Sequence, residues 1–274
     1  MFKRLVSSFF ILLLSANLVA KEVSVAKEQR NQYQRDYYLF ELLQLALKNS
    51  PFKAMLTEVD EQQQRTIMKL ARGEVDIHWG MTSPEREKMA IPVRIPLFKG
   101  LIGYRVALVS EQHKNAFSML TEQELKQRVA VQGHDWPDTQ IMAQNGFRVK
   151  PIANYETMFK LTQTGAVDYF PRSVIEVQDE LAEFGSETLA LDNQHLFIYP
   201  TAFYFFVNQH KPELANALTE GLEKLIESGE FDALFERYFA SQLASLKLAE
   251  RTKHQMTNRF LPQQTPLMRK ELWF

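Results

Sequence analysis

The sequence predicts an α/β protein made of two similar lobes. The main observation is a helix–glycine–strand unit that occurs twice, as KLARGEVDIHW at 69–79 and KLTQTGAVDYF at 160–170. Glycine at this position suits the left-handed residue that ends many helices. Chance similarity of short stretches is the alternative explanation. Because no low-complexity linker interrupts the chain, we expect the lobes to be connected by strands that cross between them.

Composition sets outer limits on function. The chain has 274 residues, is 45% hydrophobic and carries a formal net charge of −1. This length suffices for one large or two small cores, and the near-zero charge gives no electrostatic reason to expect nucleic-acid binding. Cysteine is absent, which excludes disulfides, a lipid anchor on an N-terminal cysteine and a thiolate metal site.

Residues 1–20 have the three parts of a secretory signal peptide. Lys3 and Arg4 supply the positive start, and an apolar core follows over 5–14. That core has about ten residues, whereas a membrane-spanning helix needs ~20. Small residues at Ala16 and Ala20 offer cleavage sites. We therefore expect an exported, periplasmic protein, with an uncleaved membrane anchor as the alternative.

The remaining elements follow from hydrophobic spacing and capping residues. Apolar residues recur at helical spacing over 36–49, and a second helix ends at Gly73 before the strand EVDIHWGM at 74–81. The segment 100–112 predicts an apolar strand. Next, RVAVQ, the turn GHDWPDT, a helix and FRVKPI form a β–turn–α–β unit over 128–152, of the kind that builds parallel sheets.

The C-terminal third predicts a strand, two helices and a tail. The aromatic-rich stretch 199–210 indicates a strand, and 211–241 contains two helices separated at Ser228-Gly229. The tail after them begins helical and continues as a proline-punctuated extended segment ending in Trp273-Phe274.

The order of these motifs resembles that of the periplasmic solute-binding proteins of family 3, the polar amino acid receptors of ABC importers. The most specific pieces are GEVDIHWGMTSPER at 73–86 and SGEFDALFERYF at 228–239. The resemblance covers about 21–240 and suggests a divergent member. It implies the two-lobed periplasmic-binding-protein type II fold, in which two hinge-connected α/β lobes enclose a ligand cleft. Lobe 1 would be 21–104 plus 203–245, lobe 2 would be 109–198, and 246–274 would be a C-terminal extension.

In open α/β sheets ligands bind beyond the carboxyl ends of strands, and this rule selects three turns. The first contains Trp79, Thr82 and Arg86. Ser83, Pro84 and Glu85 are ordinary helix-start residues, but a cation such as Arg86 is mildly unfavourable in a first turn. A guanidinium binds a carboxylate with two hydrogen bonds, and the resemblance implies that Arg86 holds the α-carboxylate of a ligand. The alternative is a solvated Arg86 paired with Glu85 or Glu87.

The second turn, at 133–139, begins another helix. It carries His134, Asp135, Trp136 and Thr139 as candidate ligand-binding residues, with ordinary helix capping as the alternative. His134 and Asp135 resemble half of a metal site, but no third ligand is spaced nearby, so we expect neither a metal nor a cofactor.

The third turn, at 171–173, departs most from the family pattern. The resemblance places Ser173 where amino acid receptors have an aspartate for the ligand's α-ammonium group, and Arg172 precedes it. This departure favours a ligand with more negative charge, or one without an amine; the alternative is an Arg172 that points to solvent. Arg105, in the expected hinge strand, completes the candidate set.

We therefore expect a monomeric, non-catalytic periplasmic binding protein. It would capture a small anionic or amino-acid-like solute by lobe closure, for delivery to the permease of an ABC importer. A ligand-sensing module for a membrane protein is one alternative, since the C-terminal extension could contact such a partner. An enzyme similar to cyclohexadienyl dehydratases is the other, with Asp135, Asp138 or Glu156 as general acid. The sequence does not identify the ligand.

Overall fold

A computed structural model describes residues 20–28, 32–59 and 63–274. The predicted signal peptide therefore lies outside the described residues except for Ala20. Within the described ranges, no helix is long and apolar enough to cross a membrane.

Strands and helices alternate along most of the chain. The strands are β1 (Lys21–Glu28), β2 (Phe52–Val59), β3 (Ile77–Met81), β4 (Ile91–Val93), β5 (Tyr104–Ser110), β6 (Val129–Gly133), β7 (Arg148–Ile152), β8 (Phe170–Ser173), β9 (Leu189–Leu191), β10 (His195–Ile198), β11 (Phe203–Val207) and β12 (Thr252–Gln255). The α-helices are α1 (Gln34–Leu47), α2 (Gln63–Arg72), α3 (Pro84–Met89), α4 (Lys114–Ser118), α5 (Glu122–Gln127), α6 (Pro137–Gln144), α7 (Tyr155–Gln163), α8 (Val177–Phe184), α9 (Pro212–Glu227) and α10 (Glu230–Ser245).

The first lobe is built on a five-stranded sheet in the order β2-β1-β3-β11-β4. β1 is parallel to β2 and β3, whereas β11 runs antiparallel to both β3 and β4. Helices α1, α9 and α10 pack against one another on this lobe, and α2 packs against α3 and β3. β3 is buried along almost its whole length, as expected for a strand between two helical layers.

The second lobe is built on two smaller sheets. One has the order β12-β10-β5-β8, with β9 also paired to β5, and the other is the parallel pair β6-β7. A bridge from Ala130 to Tyr169 connects β6 to the start of β8. The β–turn–α–β unit predicted from 128–152 is confirmed as β6, α6 and β7 in parallel register.

Two connections link the lobes, and both are partly irregular. Between β4 and β5 the chain passes through Lys99 and Gly100 and a 3₁₀ turn at Leu101–Gly103. Between β10 and β11 it runs through 199–202, where Tyr199 donates its backbone N–H to the Gly103 carbonyl at 3.2 Å. The continuous strand predicted for 199–210 is therefore wrong at its start, because these residues cross between sheets. The residue limits predicted for the lobes and the extension remain predictions.

The C-terminal segment, defined as residues 246–274, forms two further crossings within the described chain. After α10 in the first lobe, it enters the second lobe as β12, which pairs in parallel with β10. It then returns to the first lobe, where Leu272 is buried in the main hydrophobic core.

Candidate ligand-binding cleft

A cavity of ≈ 230 Å³ lies between the two lobes. Its walls carry both signs of charge together with apolar and aromatic groups. The charged lining residues are Glu28, Arg35, Arg105, Asp135, Asp138, Arg172 and Glu176, and the others include Met81, Ile102, Trp136, Tyr155, Met158 and Phe203. Three arginines and four carboxylates thus face one small space.

Local structure explains how the second lobe presents its share of these groups. Gly133 ends β6 and Trp136 is the N-cap of α6, with Pro137 at the first helical position, where its missing N–H costs nothing. The Trp136 ring lies directly over Gly133, so that a Cβ there would approach the ring to 2.4 Å. Only glycine lets this ring lie flat against the turn. The same turn places Asp135 and Asp138 on the cavity wall.

Arg172 is held inside a box of aromatic rings and carboxylates. Its guanidinium lies 4.8 Å from the Trp136 ring centre and 4.9 Å from that of Phe170. It donates from Nε and Nη2 to Glu180, at 2.8 and 2.5 Å. Burial raises the pKa of Glu180, but the charge of Arg172 together with the hydrogen bonds from Arg172 and Tyr155 outweighs burial and holds this pKa below its usual value. Arg172 is therefore a neutralised, structural cation.

A second charge cluster joins the hinge to the cavity. Arg105 on β5 forms an ion pair with Asp138, which also accepts a hydrogen bond from the Tyr199 hydroxyl. Glu176 lies 3.4 Å from Arg105 and 3.1 Å from Arg172. Each arginine of the second lobe that lines the cavity therefore has carboxylate partners within the protein.

The first lobe closes the cavity through the start of α1. We call three contacts between α1 and α8 the latch. The Tyr33 hydroxyl donates to Glu183 at 2.5 Å, the Gln34 backbone N–H donates to Asp179 at 2.8 Å, and Arg35 forms an ion pair with Glu176. The latch joins the two lobes at the edge of the cavity and brings Arg35 into its wall.

The structure brings four of the predicted site residues together on the cavity wall: Arg105, Asp135, Trp136 and Arg172. The turn predicted at 171–173 is wrong, because these residues form most of β8, which pairs with β5. Ser173 is consequently buried and donates its hydroxyl to the Leu101 carbonyl at 3.1 Å.

The other predicted residues do not line the cavity. Trp79 packs edge-on against Phe205, and the Thr82 hydroxyl donates to Glu87 at 2.7 Å. The Thr139 hydroxyl donates to the Gly133 carbonyl at 2.6 Å. The His134 side chain is 48% exposed. Among the described residues, no group of three or more His, Asp or Glu side chains is arranged to hold a metal ion.

Arg86 lies behind the wall of the cavity. Ser83 is the N-cap of α3 and accepts from the Arg86 backbone N–H. The Arg86 side chain is buried and donates to the Met81 carbonyl at 2.8 Å. Burial lowers the pKa of Arg86, while the carboxylates of Asp135 and Asp138 oppose this effect. Arg86 is thus neither solvated nor part of the cavity wall, and its charge interacts with Asp135 and Asp138, which do line the cavity.

Several lining residues were absent from the sequence-based set. Arg35 and Glu176 belong to helix starts that carry no binding motif, and they meet only because α1 and α8 adjoin in space. Asp138 was named only as a possible general acid, and its partners Arg105 and Tyr199 are distant in sequence. A local pattern holds no information about such pairs.

Comparison with known proteins decides the fold. No protein-family model and no curated protein matches this sequence. Among solved structures, an ancestral arginine-binding protein bound to arginine matches with a TM-score of 0.62 and 16% identity, over 81% of this chain and 99% of that one. The chain has the two-lobed periplasmic-binding-protein fold. The fold that the sequence resemblance implied is therefore confirmed. The identity of 16% shows that this sequence has diverged far from that of the matched structure.

Two further solved structures match with similar scores. The GluR0 ligand-binding core from Nostoc punctiforme, in complex with L-glutamate, has a TM-score of 0.59 and 14% identity over 79% of this chain and 99% of that one. The VFT2 domain of Bordetella pertussis BvgS has a TM-score of 0.63 and 16% identity, over 79% of this chain and 93% of that one.

Proposed function

We propose that the chain is a non-catalytic binding protein for a small amino-acid-like solute, held between the lobes in the charged cavity. The observation that carries this proposal is the mixture of charge on the cavity wall, where three arginines face four carboxylates. A zwitterion can place each of its ends beside an opposite charge. A dianion would meet more carboxylates than guanidiniums, so the charge balance favours the amino-acid-like solute over an anionic one.

Size and surroundings agree with this class of ligand. A cavity of ≈ 230 Å³ admits a single small molecule. The Trp136 ring and Met158 supply apolar contact, Asp135 supplies negative charge for an ammonium group, and Arg105 supplies positive charge for a carboxylate. Similar folds bound to arginine and to L-glutamate support a ligand of this kind.

A binding role fits the carboxylates better than a catalytic role does. A general acid must hold a proton that it can donate to the substrate. Asp138 instead forms an ion pair with Arg105, and Glu176 forms one with Arg35. Neither is therefore set up as a proton donor.

Thermal unfolding of the mature protein with amino acids, dicarboxylates and organic phosphates tests the proposal. An amino acid at 100 times its dissociation constant should stabilise the protein by about 2.7 kcal/mol. Stabilisation by dicarboxylates or phosphates alone would contradict the amino-acid-like ligand, and consumption of the added compound would contradict the non-catalytic role.

A pair of matched substitutions tests the site. Asp135→Asn removes one negative charge from the cavity wall. We expect the affinity for the amino acid to fall at least several-fold, and the ligand-induced rise in unfolding temperature to become smaller. Glu156→Gln is the control, since it makes the same change on α7 of the same lobe at a side chain that is 63% exposed and outside the cavity. Equal binding by both variants would show that the solute lies elsewhere.

We also propose that the protein works in the periplasm with a membrane partner. Either the permease of an ABC importer would receive the solute, or a sensor would read the state of the lobes. Mass spectrometry of the protein from the cell envelope should find a chain beginning near Lys21. A membrane-bound chain that retains residues 1–20 would contradict this localisation.

A further inference from the structure

The C-terminal segment is attached firmly to the second lobe. β12 pairs with β10 over four residues, and the Met256 backbone N–H continues this ladder to Ile198 at 2.8 Å. Beyond it, the Thr257 backbone N–H donates to the Asn145 side chain on α6, which donates back to the Thr257 carbonyl at 2.8 Å. These backbone contacts make 252–257 part of the second lobe.

The end of the same segment is attached to the first lobe. Arg269 binds both carboxylate oxygens of Glu223 on α9, at 2.5 and 2.9 Å. This two-bond geometry is the strongest form of such a pair. The Phe274 backbone N–H donates to the Lys99 carbonyl at 2.9 Å. The segment therefore holds both lobes at once.

Its last residues lie directly on the connection between β4 and β5. Lys99 and Gly100 both have positive φ, of 51° and 77°. The Trp273 ring lies so close over Gly100 that a Cβ there would approach it to 2.5 Å. Asn258 also donates to the Pro200 carbonyl in the other connection. The segment thus touches both places where the backbone must turn if the lobes move apart.

We propose that residues 246–274 form a strap that limits opening of the lobes. The stretch between Thr257 and Arg269 has eleven residues. Within it the Thr265 backbone N–H donates to the Pro262 carbonyl at 3.0 Å and the Leu267 backbone N–H donates to the Thr265 carbonyl at 2.8 Å, so the stretch is folded into turns rather than extended. Opening of the cleft beyond a small rotation therefore requires either that these turns break or that the terminal residues leave Lys99, Gly100 and Glu223. This inference rests on the fold and not on the identity of the solute.

A distance measured across the cleft tests the strap. The chain has no cysteine, so two introduced cysteines can carry spin labels without competition. Tyr37 on α1 is 61% exposed and Ala182 on α8 is also exposed, and these helices adjoin at the latch. In labelled Tyr37→Cys/Ala182→Cys protein, wider opening gives a longer and broader distance distribution.

The latch contacts also hold the two lobes together, so the effect of the strap is measured in a protein that lacks two of them. Tyr33→Phe with Asp179→Ala removes two latch contacts and serves as the background. Here, ending the chain after Gln264, or Trp273→Ala in the full chain, should lengthen the mean distance. Met268→Ala, at a side chain 90% exposed in the same segment, should not.

The outcome is decisive in either direction. Longer distances in the shortened chain and in Trp273→Ala, with the control unchanged, establish the strap. Distributions identical to the background in folded Trp273→Ala protein overturn it. Circular dichroism confirms folding, and the point variant decides the question if the shortened chain does not fold.

Discussion

Arg172 lies among three aromatic rings, with Glu180 and Glu176 as its charged partners. A buried ion pair of this kind contributes little net stability relative to an apolar pair, but removing one member leaves the other charge buried and unpaired. The cavity wall consequently depends on this arginine, whose charge is balanced by carboxylates of the protein. Its role is to keep Trp136, Tyr155 and Glu180 in place.

Arg172→Met should lower the free energy of unfolding by about 3–5 kcal/mol, because Glu180 loses its main partner in a buried setting. Lys160→Met is the matched control, since Lys160 pairs with Glu156 at 3.6 Å where both side chains are largely exposed. That change should cost at most about 0.5 kcal/mol. Urea unfolding measures both, and similar losses would show that the Arg172–Glu180 pair is not essential.

His78 should make the first lobe sensitive to acid. Its side chain is buried on β3, and its Nδ1 has no hydrogen-bond partner among the residues that the structure describes. Burial, helped by the nearby charge of Arg86, lowers the pKa of His78 to about 3. The unfolded chain binds a proton near the ordinary histidine pKa of about 6.5, so stability is complete above that pH and is lost as the pH falls from about 6.5 towards 3.

The loss at His78 amounts to at most about 5 kcal/mol. His78→Leu should flatten this part of the curve of unfolding free energy against pH. His134→Asn, at a side chain 48% exposed, is the control substitution. An unaltered slope in His78→Leu would assign the acid sensitivity to other groups.

At the scale of elements, the turn between β4 and β5 holds two consecutive residues with positive φ beneath the Trp273 ring. Glycine is needed at position 100 for two separate reasons, the backbone conformation and the space taken by the ring. The chain offers a site where only the first reason applies. Gly229 has the same φ of 77°, and a Cβ there would meet nothing within 4 Å.

Both Gly100→Ala and Gly229→Ala should pay the left-handed backbone cost of about 1–2 kcal/mol. Gly100→Ala should lose about 1–3 kcal/mol more, because Trp273 must shift to admit the methyl group. Denaturant unfolding gives both values, and tryptophan fluorescence should change only in Gly100→Ala. Equal losses would mean that the Trp273 contact is not tightly packed.

Elements with strong local signals could be predicted from the sequence, and those defined by distant partners could not. The unit over 128–152 and helices α9 and α10 carry capping residues, glycines and periodic apolar residues. β12 has the sequence TKHQ, which lacks a strand pattern, and it is a strand only because β10 offers a free edge. β8 likewise differs from the prediction of a turn at 171–173, because pairing with β5 extends the strand through Arg172 and Ser173.

At the scale of the whole molecule, two regions join the lobes on different sides of the cavity. The latch connects α1 to α8 at the edge of the cleft, and the C-terminal segment crosses the connections near Gly100 and Pro200. The two-lobed architecture was predictable because it rests on repeated local units. The cavity lining was predictable only in part, since the pairs Arg35–Glu176, Arg105–Glu176 and Arg105–Asp138 join groups that are distant in sequence.

Leu272 and Trp273 complete the first lobe from the far end of the chain, and β11 lies between β3 and β4 in a sheet whose other strands all come from the first 93 residues. The second lobe likewise receives β12 only after α10 has been made. During synthesis, the first-lobe sheet therefore lacks a strand until Val207 has been made, and the second-lobe sheet lacks one until Gln255 has been made. The order of elements along the chain thus delays completion of both lobes until their C-terminal parts have been synthesised.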